Sequence, residues 1–175
     1  PRPPAAVHVA EPATLVPVPP APRSRCAEWN APRQPFKVYG NTYFVGPAGV
    51  SAMLITSDRG HILVDTGLPQ SAAVIDANIR ALGFKTTDVK LILTSHAHYD
   101  HVGGVHALQR YTRAEVVGSP QTARALAIGG PTPDDPQAPA GPPPGVDYFP
   151  ATEGVRGVKD GEVVKVGSLA VTAHH

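Results

Sequence analysis

The first third of the chain alternates short apolar runs with turn-forming residues, which is the pattern of a tightly connected sheet. Gly40-Asn41 and Asp58-Arg59-Gly60 are the turn-forming sequences, and each lies between apolar or aromatic runs. Meanders of this kind favour an antiparallel-rich sheet. The predicted strands cover residues 36–39, 42–45, 51–57 and 61–65.

From residue 71 the apolar spacing changes to that of a helix. Ile75, Ile79 and Leu82 recur on one helical face. Ser71 is placed to cap the N terminus of this helix, and Gly83 suits its C-terminal stop. The same reasoning predicts further elements along the chain. They are helices over 71–82, 104–111 and 120–128, strands over 91–94 and 114–117, and a hairpin of 162–166 with 169–173.

Proline separates this patterned region from two irregular segments. Ten of the 21 prolines lie in residues 1–35, where the sequence has almost no periodicity, and eight more lie in residues 129–150. The first segment predicts an extended, mobile tail that is rich in proline and alanine. The second predicts a long loop that is either mobile or functional. We therefore expect a flexible tail over residues 1–35 and a domain over residues 36–175.

Composition narrows the possible partners. A chain of 175 residues has room for one domain or for part of a larger one, and 42% hydrophobic and 17% charged residues are ordinary for a globular protein. The net charge of +1, without a lysine or arginine cluster, predicts no nucleic-acid or membrane partner. Cys26 is the single cysteine, so an internal disulfide is impossible within these residues.

Four potential metal ligands fall within six residues directly after the predicted strand 91–94. They are His96, His98, Asp100 and His101. Imidazole and carboxylate together suit Zn²⁺. We expect the rings of His96 and His98 to converge on one ion, and Asp100 and His101 to reach a second. Because a bound metal lowers the pKa of water toward ~7, the cluster predicts a hydrolytic site with one or two metal ions.

Two plainer interpretations of the cluster stay open, a chance grouping of histidines and a purely structural zinc site. Four candidate ligands in six positions argue against chance. A set that contains a carboxylate and lacks cysteine fits a catalytic site better than a structural one. The histidines His8, His61 and His106 lie elsewhere in the chain, and we predict that they do not bind metal.

The cluster and its surroundings resemble the metallo-β-lactamase superfamily. The motif His96-x-His98-x-Asp100-His101 follows a strand that ends in Asp65-Thr66-Gly67. Within the motif, the histidine at position 101 resembles the pattern of subclass B3 of the metallo-β-lactamases. The similarity runs from about Trp29 to the C terminus and is weakest across the proline-rich loop. Flanking segments that look like this subclass are 35–36, 40–46, 49–51, 60–65 and 82–84.

The resemblance implies an α/β fold, the αββα metallo-β-lactamase sandwich, of which this chain would supply mainly the first half. His96 and His98 would be two of three histidines on a first zinc ion. Asp100 and His101 would bind a second, with Asp100 also the catalytic residue that orients the attacking hydroxide. Asp65 would stabilise the metal-binding loop without binding the metal itself. The other interpretation is that Asp65 is an ordinary turn residue at the end of the strand.

The resemblance also implies a function. It is the zinc-dependent hydrolysis of the β-lactam amide bond of penicillins, cephalosporins and carbapenems, which confers antibiotic resistance. The cofactor would be one or two Zn²⁺ ions, the partner a small-molecule β-lactam, and the location periplasmic or secreted, although these residues contain no signal-peptide pattern. A thioesterase or lactonase of the same fold, or an inert non-enzymatic fragment, are the alternatives.

One part of the family pattern is not found in these residues. The third histidine of the first site is expected in a Gly-His-Thr-like turn that follows a Thr-Ala-His segment. Thr172-Ala173-His174 matches that segment, and the remaining ligands would lie beyond His175. His174 and His175 are therefore not the expected ligand by alignment, and weak substitution for it by either histidine is the open alternative. We expect the 175-residue chain by itself to bind zinc poorly and to hydrolyse β-lactams slowly or not at all.

Overall fold

A seven-stranded sheet forms the centre of the molecule. The computed structural model describes Leu15, residues 26–136, Ala138 and residues 149–175. Neighbouring strands are antiparallel from β1 to β4 and parallel from β4 to β7. In sheet order the strands are β1 (Phe36–Tyr39), β2 (Thr42–Phe44), β3 (Met53–Ile55), β4 (His61–Val64), β5 (Val89–Leu93), β6 (Glu115–Gly118) and β7 (Arg156–Gly157).

Helices connect the parallel strands, because a parallel pair needs a crossover between its strands. The helices are α1 (Cys26–Trp29), α2 (Ser71–Ala81), α3 (Tyr99–Val102), α4 (Val105–Thr112) and α5 (Pro120–Ile128), with a 3₁₀ turn at Thr86–Asp88. Thus α2 joins β4 to β5, α3 and α4 join β5 to β6, and α5 precedes β7. None of the helices in the described part of the chain is long and apolar enough to cross a bilayer.

The two faces of the sheet are covered by different layers. Adjacent residues of a strand point to opposite faces, and in β5 Ile92 faces one layer while Leu91 faces the other. On the Ile92 side the core contains buried residues of the helices, among them Ile75 and Leu108. On the Leu91 side lies a two-stranded sheet of β8 (Val163–Val166) and β9 (Leu169–Thr172). The predicted α/β class is confirmed.

Most of the predicted elements are observed, with bounds that differ by one or two residues. The strand predicted over 51–57 is shorter and covers Met53–Ile55. The prediction that Ser71 caps α2 is wrong, because Ser71 is the first residue of the helix and Gln70 precedes it without a side-chain cap. The Ser71 hydroxyl accepts a hydrogen bond from the Leu68 amide at 3.0 Å and donates one to Asn30 Oδ1 at 2.7 Å.

Residues 26–35 contact the domain, although we predicted them as part of an extended, mobile tail. Cys26 is buried. The amide of Gly49 donates to the Trp29 carbonyl at 3.0 Å, and the amide of Ala48 donates to the Ala31 carbonyl at 2.8 Å. The loop after β2 thus satisfies its amides with this segment and holds it in place. Except for Leu15, the rest of the predicted tail lies outside the described residues, so the boundary at residue 35 stays a prediction.

Candidate metal centre

The histidine cluster follows the C-terminal end of β5, a strand whose Ile92 is fully buried. His98 is extended (φ −83°, ψ 152°), and its carbonyl accepts hydrogen bonds from the amides of His101 and Val102, both at 3.0 Å. These bonds start the helical turn α3, which contains Asp100 and His101. The last two candidate ligands therefore lie on a helical turn with a fixed backbone.

Contacts with the connection between β4 and α2 hold the cluster in place. The carbonyl of His101 accepts hydrogen bonds from the amide and the hydroxyl of Thr66, at 2.8 and 3.0 Å. A Cβ added to Gly103 would lie 2.6 Å from the Pro69 nitrogen, and one added to Gly104 would lie 2.6 Å from the Thr66 carbonyl oxygen. Glycine is therefore required at both positions for this close approach of two backbone segments.

The carboxylate of Asp65 connects several groups of the cluster. Asp65 is buried and has a left-handed backbone (φ 56°), a conformation in which aspartate is enriched among non-glycine residues. Its Oδ1 accepts from the Ser95 amide at 2.8 Å, and its Oδ2 accepts from the Ser95 hydroxyl at 2.7 Å. The same Oδ2 lies 2.8 Å from His101 Nδ1. Asp65 thus links the end of β4 to the start of the cluster and to one of its rings.

These hydrogen bonds determine which ring nitrogens remain available when the imidazoles are neutral. His101 Nδ1–H donates to Asp65, which leaves the lone pair on Nε2, 3.6 Å from Asp100 Oδ2. The Ser95 hydroxyl gives its proton to Asp65 and therefore accepts from His96 Nδ1, at 3.1 Å. His96 then also carries its lone pair on Nε2. Both rings present the same nitrogen for another interaction.

The environment shifts the pKa of two of these histidines in opposite directions. Burial and the neighbouring rings of His101 and His98 lower the pKa of His96 below its usual value. The hydrogen bond that His101 donates to the Asp65 carboxylate raises the pKa of His101, against a smaller opposing effect of burial. His96 is therefore the more readily neutral of the two, and a metal ion requires the neutral form of each.

The structure gathers the four predicted ligands but does not arrange three of them around a common point. The ring of His96 lies 4.5 Å from that of His98 and 3.9 Å from that of His101, between centroids. Within the residues that the structure describes, no three His, Cys, Asp or Glu side chains are placed to hold an ion. The expected convergence of His96 and His98 is not observed in this conformation, in which the rings pack against one another. The donor types, imidazole nitrogen and carboxylate oxygen, nevertheless fit Zn²⁺.

Asp135 is a neighbour of the cluster that the sequence analysis missed. Its Oδ2 lies 3.3 Å from His98 Nε2, and its side chain is 13% exposed. It belongs to the proline-rich segment after α5, of which residues 129–136, 138, 149 and 150 are described. The one sequence signal was a pair of carboxylates in an unusually long loop, and nothing in the local spacing connects that loop with the histidines.

A cavity of ≈ 270 Å³ opens beside the cluster. It lies between the histidine loop, the N-terminal turn of α5 and the segment that contains Asp135. Several of its polar side chains belong to the cluster or to its neighbours. They include His96, His98, Ser119, Thr122, Thr132 and Asp135. The cavity gives a small polar molecule access to two of the four predicted ligands.

The other described histidines make contacts of their own. His61 is buried, accepts from the Ser57 amide at 3.4 Å and packs edge-on against Phe84, 5.3 Å between ring centroids. His106 Nδ1 lies 2.7 Å from the Ala151 carbonyl oxygen. His174 is 80% exposed and lies 3.9 Å from an Asp160 oxygen. His8 lies outside the described residues. That His8, His61 and His106 do not bind metal stays a prediction.

We expect Asp65→Asn to lower the pKa of His101 in the metal-free chain. The substitution removes the charged acceptor that favours the imidazolium form. Since the folded pKa of His101 is raised, the pair contributes stability that is fully present below the unfolded value of about 6.5 and is lost as the pH rises through the folded pKa. An NMR titration of the imidazole protons measures this pKa. An unchanged His101 pKa in the variant would contradict the assigned hydrogen bond.

The structure thus combines a mixed sheet with a cluster of histidines and a carboxylate at the end of a buried parallel strand. The family model described as the metallo-beta-lactamase superfamily matches residues 45–175. The chain belongs to the metallo-beta-lactamase superfamily.

Solved structures narrow the likeness within that superfamily. Rm3 metallo-beta-lactamase superposes with a TM-score of 0.81 and 48% identity, covering 87% of this chain and 55% of that one. MEM-A1, a subclass B3 metallo-beta-lactamase from a soil metagenome library, gives 0.78 and 50% identity over 84% of this chain and 54% of that one. The resemblance to subclass B3 and the sandwich fold are confirmed. The chain spans about half the length of these solved relatives.

Curated relatives match shorter stretches. Metallo-beta-lactamase domain-containing protein 1 of Homo sapiens is 37% identical over 34% of this chain and 23% of its own length. The N-acyl homoserine lactonase of Bacillus cereus is 31% identical, covering 29% of this chain and 30% of its own.

Proposed function

We propose that these residues belong to a zinc-dependent hydrolase of β-lactam antibiotics. The observation that carries the proposal is 48–50% identity, over more than four fifths of the chain, to structures that are themselves metallo-beta-lactamases. The lactonase of Bacillus cereus matches less than a third of the chain, at 31% identity. The likeness to β-lactamases is therefore both longer and closer than the likeness to a lactonase.

The proposed metal ligands are His96, His98, Asp100 and His101, which would hold one or two Zn²⁺ ions. Bound zinc would supply activation of water and polarisation of the β-lactam carbonyl. The contribution of the chain is to fix the donors, because α3 sets the backbone of Asp100 and His101 and the Asp65 carboxylate sets the ring of His101. The donors are thus held at the end of the rigid strand β5, which favours a reproducible geometry.

Asp100 is the proposed catalytic residue. Its carboxylate is 35% exposed, so water reaches it, and it lies 3.6 Å from His101 Nε2. A carboxylate in this position orients a water molecule by accepting its hydrogen bond, and it takes up the proton that the water loses on attack. When the amide C–N bond breaks, the same carboxyl group would return the proton to the leaving nitrogen. The cavity beside His96 and His98 would admit the antibiotic.

A second candidate is hydrolysis of a lactone or a thioester with the same residues, and the match to an N-acyl homoserine lactonase is the observation that favours it. The periplasmic or secreted location and the resistance phenotype remain predictions from the resemblance.

The test uses a chimera in which residues 26–175 are joined to the part of Rm3 metallo-beta-lactamase that this chain does not cover. We expect the zinc-loaded chimera to hydrolyse a chromogenic cephalosporin, to lose this activity on chelation and to regain it when zinc is added. The variant Asp100→Asn is the matched control, because it changes one oxygen to an amide nitrogen and should retain the fold by circular dichroism. We expect the 175-residue chain by itself to be much less active.

Each outcome separates the candidate functions. Chelator-sensitive cleavage of the cephalosporin supports the proposal. Cleavage of an N-acyl homoserine lactone or a thioester without cleavage of the cephalosporin favours the second candidate. A folded chimera that binds no zinc contradicts both and favours an inert member of the superfamily.

A further inference from the structure

We infer that Asp135 is a positioning residue for His98, which it orients through Nε2 so that Nδ1 is left for the metal ion. The inference deepens the proposed function and rests on it, since it assumes that His98 is a metal ligand. It adds a residue from the segment after α5 to a centre that otherwise consists of a local sequence cluster and Asp65.

The first support is the contact itself. Asp135 Oδ2 lies 3.3 Å from His98 Nε2. The side chain of Asp135 is 13% exposed and that of His98 is 30% exposed, so solvent screens the contact only partly. A histidine that binds a metal ion through one nitrogen usually donates its other N–H to a carboxylate or a carbonyl, which fixes the ring and the tautomer. Asp135 Oδ2 lies close enough to His98 Nε2 to accept such a hydrogen bond.

The second support is a matching contact elsewhere in the same cluster. Asp65 contacts His101 through Nδ1 at 2.8 Å, which leaves Nε2 with the lone pair. Asp135 Oδ2 lies 3.3 Å from the opposite nitrogen of His98, Nε2, and a proton on Nε2 that faces this carboxylate would leave the lone pair on Nδ1. Two carboxylates from distant parts of the chain thus each hold one ring of the cluster. A surface ion pair formed by chance would not be expected to repeat this arrangement on a second candidate ligand.

The backbone around Asp135 is itself ordered by hydrogen bonds. The amide of Asp135 donates to the Thr132 carbonyl at 2.9 Å, and the Asp135 carbonyl accepts from the Ala138 amide at 2.9 Å. Thr132 is buried. The carboxylate is therefore presented from a turn with a defined conformation, and it can restrain the His98 ring because it is restrained itself.

Both ends of His98 are then fixed by different parts of the chain. Its carbonyl accepts the two amide hydrogen bonds that begin α3, so the main chain cannot turn freely. Its ring lies 3.3 Å from the carboxylate of Asp135, which lines the same cavity. A change at residue 135 should accordingly alter the ring and leave the main chain of α3 as it is.

Zinc affinity and ring NMR together test the inference on the 175-residue chain. The variants are Asp135→Ala, which removes the contact, and Asp135→Asn, which removes the charge and keeps a side-chain acceptor of the same shape. Asp134→Asn is the matched control, because it removes a negative charge from the residue next to Asp135. The Asp134 carboxylate lies on the surface and pairs with Arg124 at 3.4 Å. Zinc affinity is measured by competition with a chromophoric chelator, and ¹⁵N-labelled histidine reports the His98 ring in the metal-free chain.

We expect Asp135→Ala to weaken zinc binding about 10- to 100-fold, and Asp135→Asn to weaken it less. Asp134→Asn should bind zinc as the unmodified chain does. In the metal-free chain, the Nε2–H signal of His98 should be visible in the unmodified protein and should broaden or disappear in Asp135→Ala. The thermal unfolding midpoint of the metal-free chain should stay nearly unchanged, which a merely structural role of Asp135 would not predict.

Three results would overturn the inference. One is equal zinc affinity in Asp135→Ala and the unmodified chain, and another is the same loss in all three variants, which would indicate a general effect of charge. The third is an unmodified chain that binds no zinc at this cluster. Failure of the proposed function is a different result. If Asp135→Ala loses zinc affinity but the chimera cleaves no β-lactam, the proposal that a β-lactam is the substrate is contradicted. The role of Asp135 is then still supported.

Discussion

Asp65→Ala is expected to lower the zinc affinity of the chain about 10- to 100-fold, the range found when a carboxylate that orients a metal-binding histidine is removed. It is also expected to lower the free energy of unfolding by about 1–3 kcal/mol, because three partly buried hydrogen bonds lose their acceptor. The donors are the Ser95 amide, the Ser95 hydroxyl and His101 Nδ1. Loss of one carboxylate thus frees both the start of the histidine loop and a ring within it.

Two further variants separate the causes of this effect. Asp65→Asn keeps a residue type that tolerates the left-handed backbone and keeps one side-chain acceptor oxygen, so it should lose less stability than the alanine variant. Asp58→Ala removes an exposed aspartate from the turn before β4 and should change neither property. Chelator competition and urea unfolding give the two quantities. Zinc affinity in Asp65→Ala equal to that in Asp58→Ala would show that Asp65 does not support the metal-binding loop.

Ile92→Ala is expected to lower the free energy of unfolding by about 2–5 kcal/mol, the usual range for truncation of a fully buried isoleucine. Ile92 is 0% exposed and lies opposite Leu63 of β4 and Val116 of β6 in the parallel part of the sheet. Truncation leaves a cavity between the sheet and the helices, in the strand that leads directly into the histidine loop. We therefore expect weaker zinc binding as well as lower stability.

Ile128→Ala is the matched control for that prediction. Ile128 is the last residue of α5 and is 63% exposed, so the same truncation should change the free energy of unfolding by less than about 0.5 kcal/mol. Urea unfolding of the two variants compares one chemical change at a buried and an exposed site. Similar midpoints for the two would mean that β5 is not central to the core.

The sequence predicted the fold well where the pattern is local. The apolar spacing of α2 and the Gly40-Asn41 turn each contain their own signal, since helix and strand periods differ. It failed where a long-range contact decides the structure. The proline-rich pattern does not predict that the carbonyl of Trp29 accepts a hydrogen bond from the amide of Gly49. Ser71 likewise accepts a hydrogen bond from the loop before α2 instead of capping that helix.

In the candidate site, too, the sequence predicted the local features and missed the long-range contacts. Four of its side chains are close in sequence, so their grouping was evident from the spacing, and the resemblance added Asp65. Ring orientation was not predictable, because it depends on which carboxylate meets which nitrogen. The contact of Asp65 with His101 Nδ1 and that of Asp135 with His98 Nε2 join residues far apart in the chain. Local spacing carries no information about either contact.

Zinc binding by the chain and by single alanine variants of His96, His98, Asp100 and His101 tests the central claim most directly. The measurement is competition with a chromophoric chelator, with His106→Ala as the control histidine. We predict weak binding of one or two ions by the unmodified chain, a clear loss of affinity in each of the four variants and no loss in His106→Ala. Zinc binding that is absent, or that is unaffected by all four substitutions, would contradict the assignment of a metal centre to this cluster.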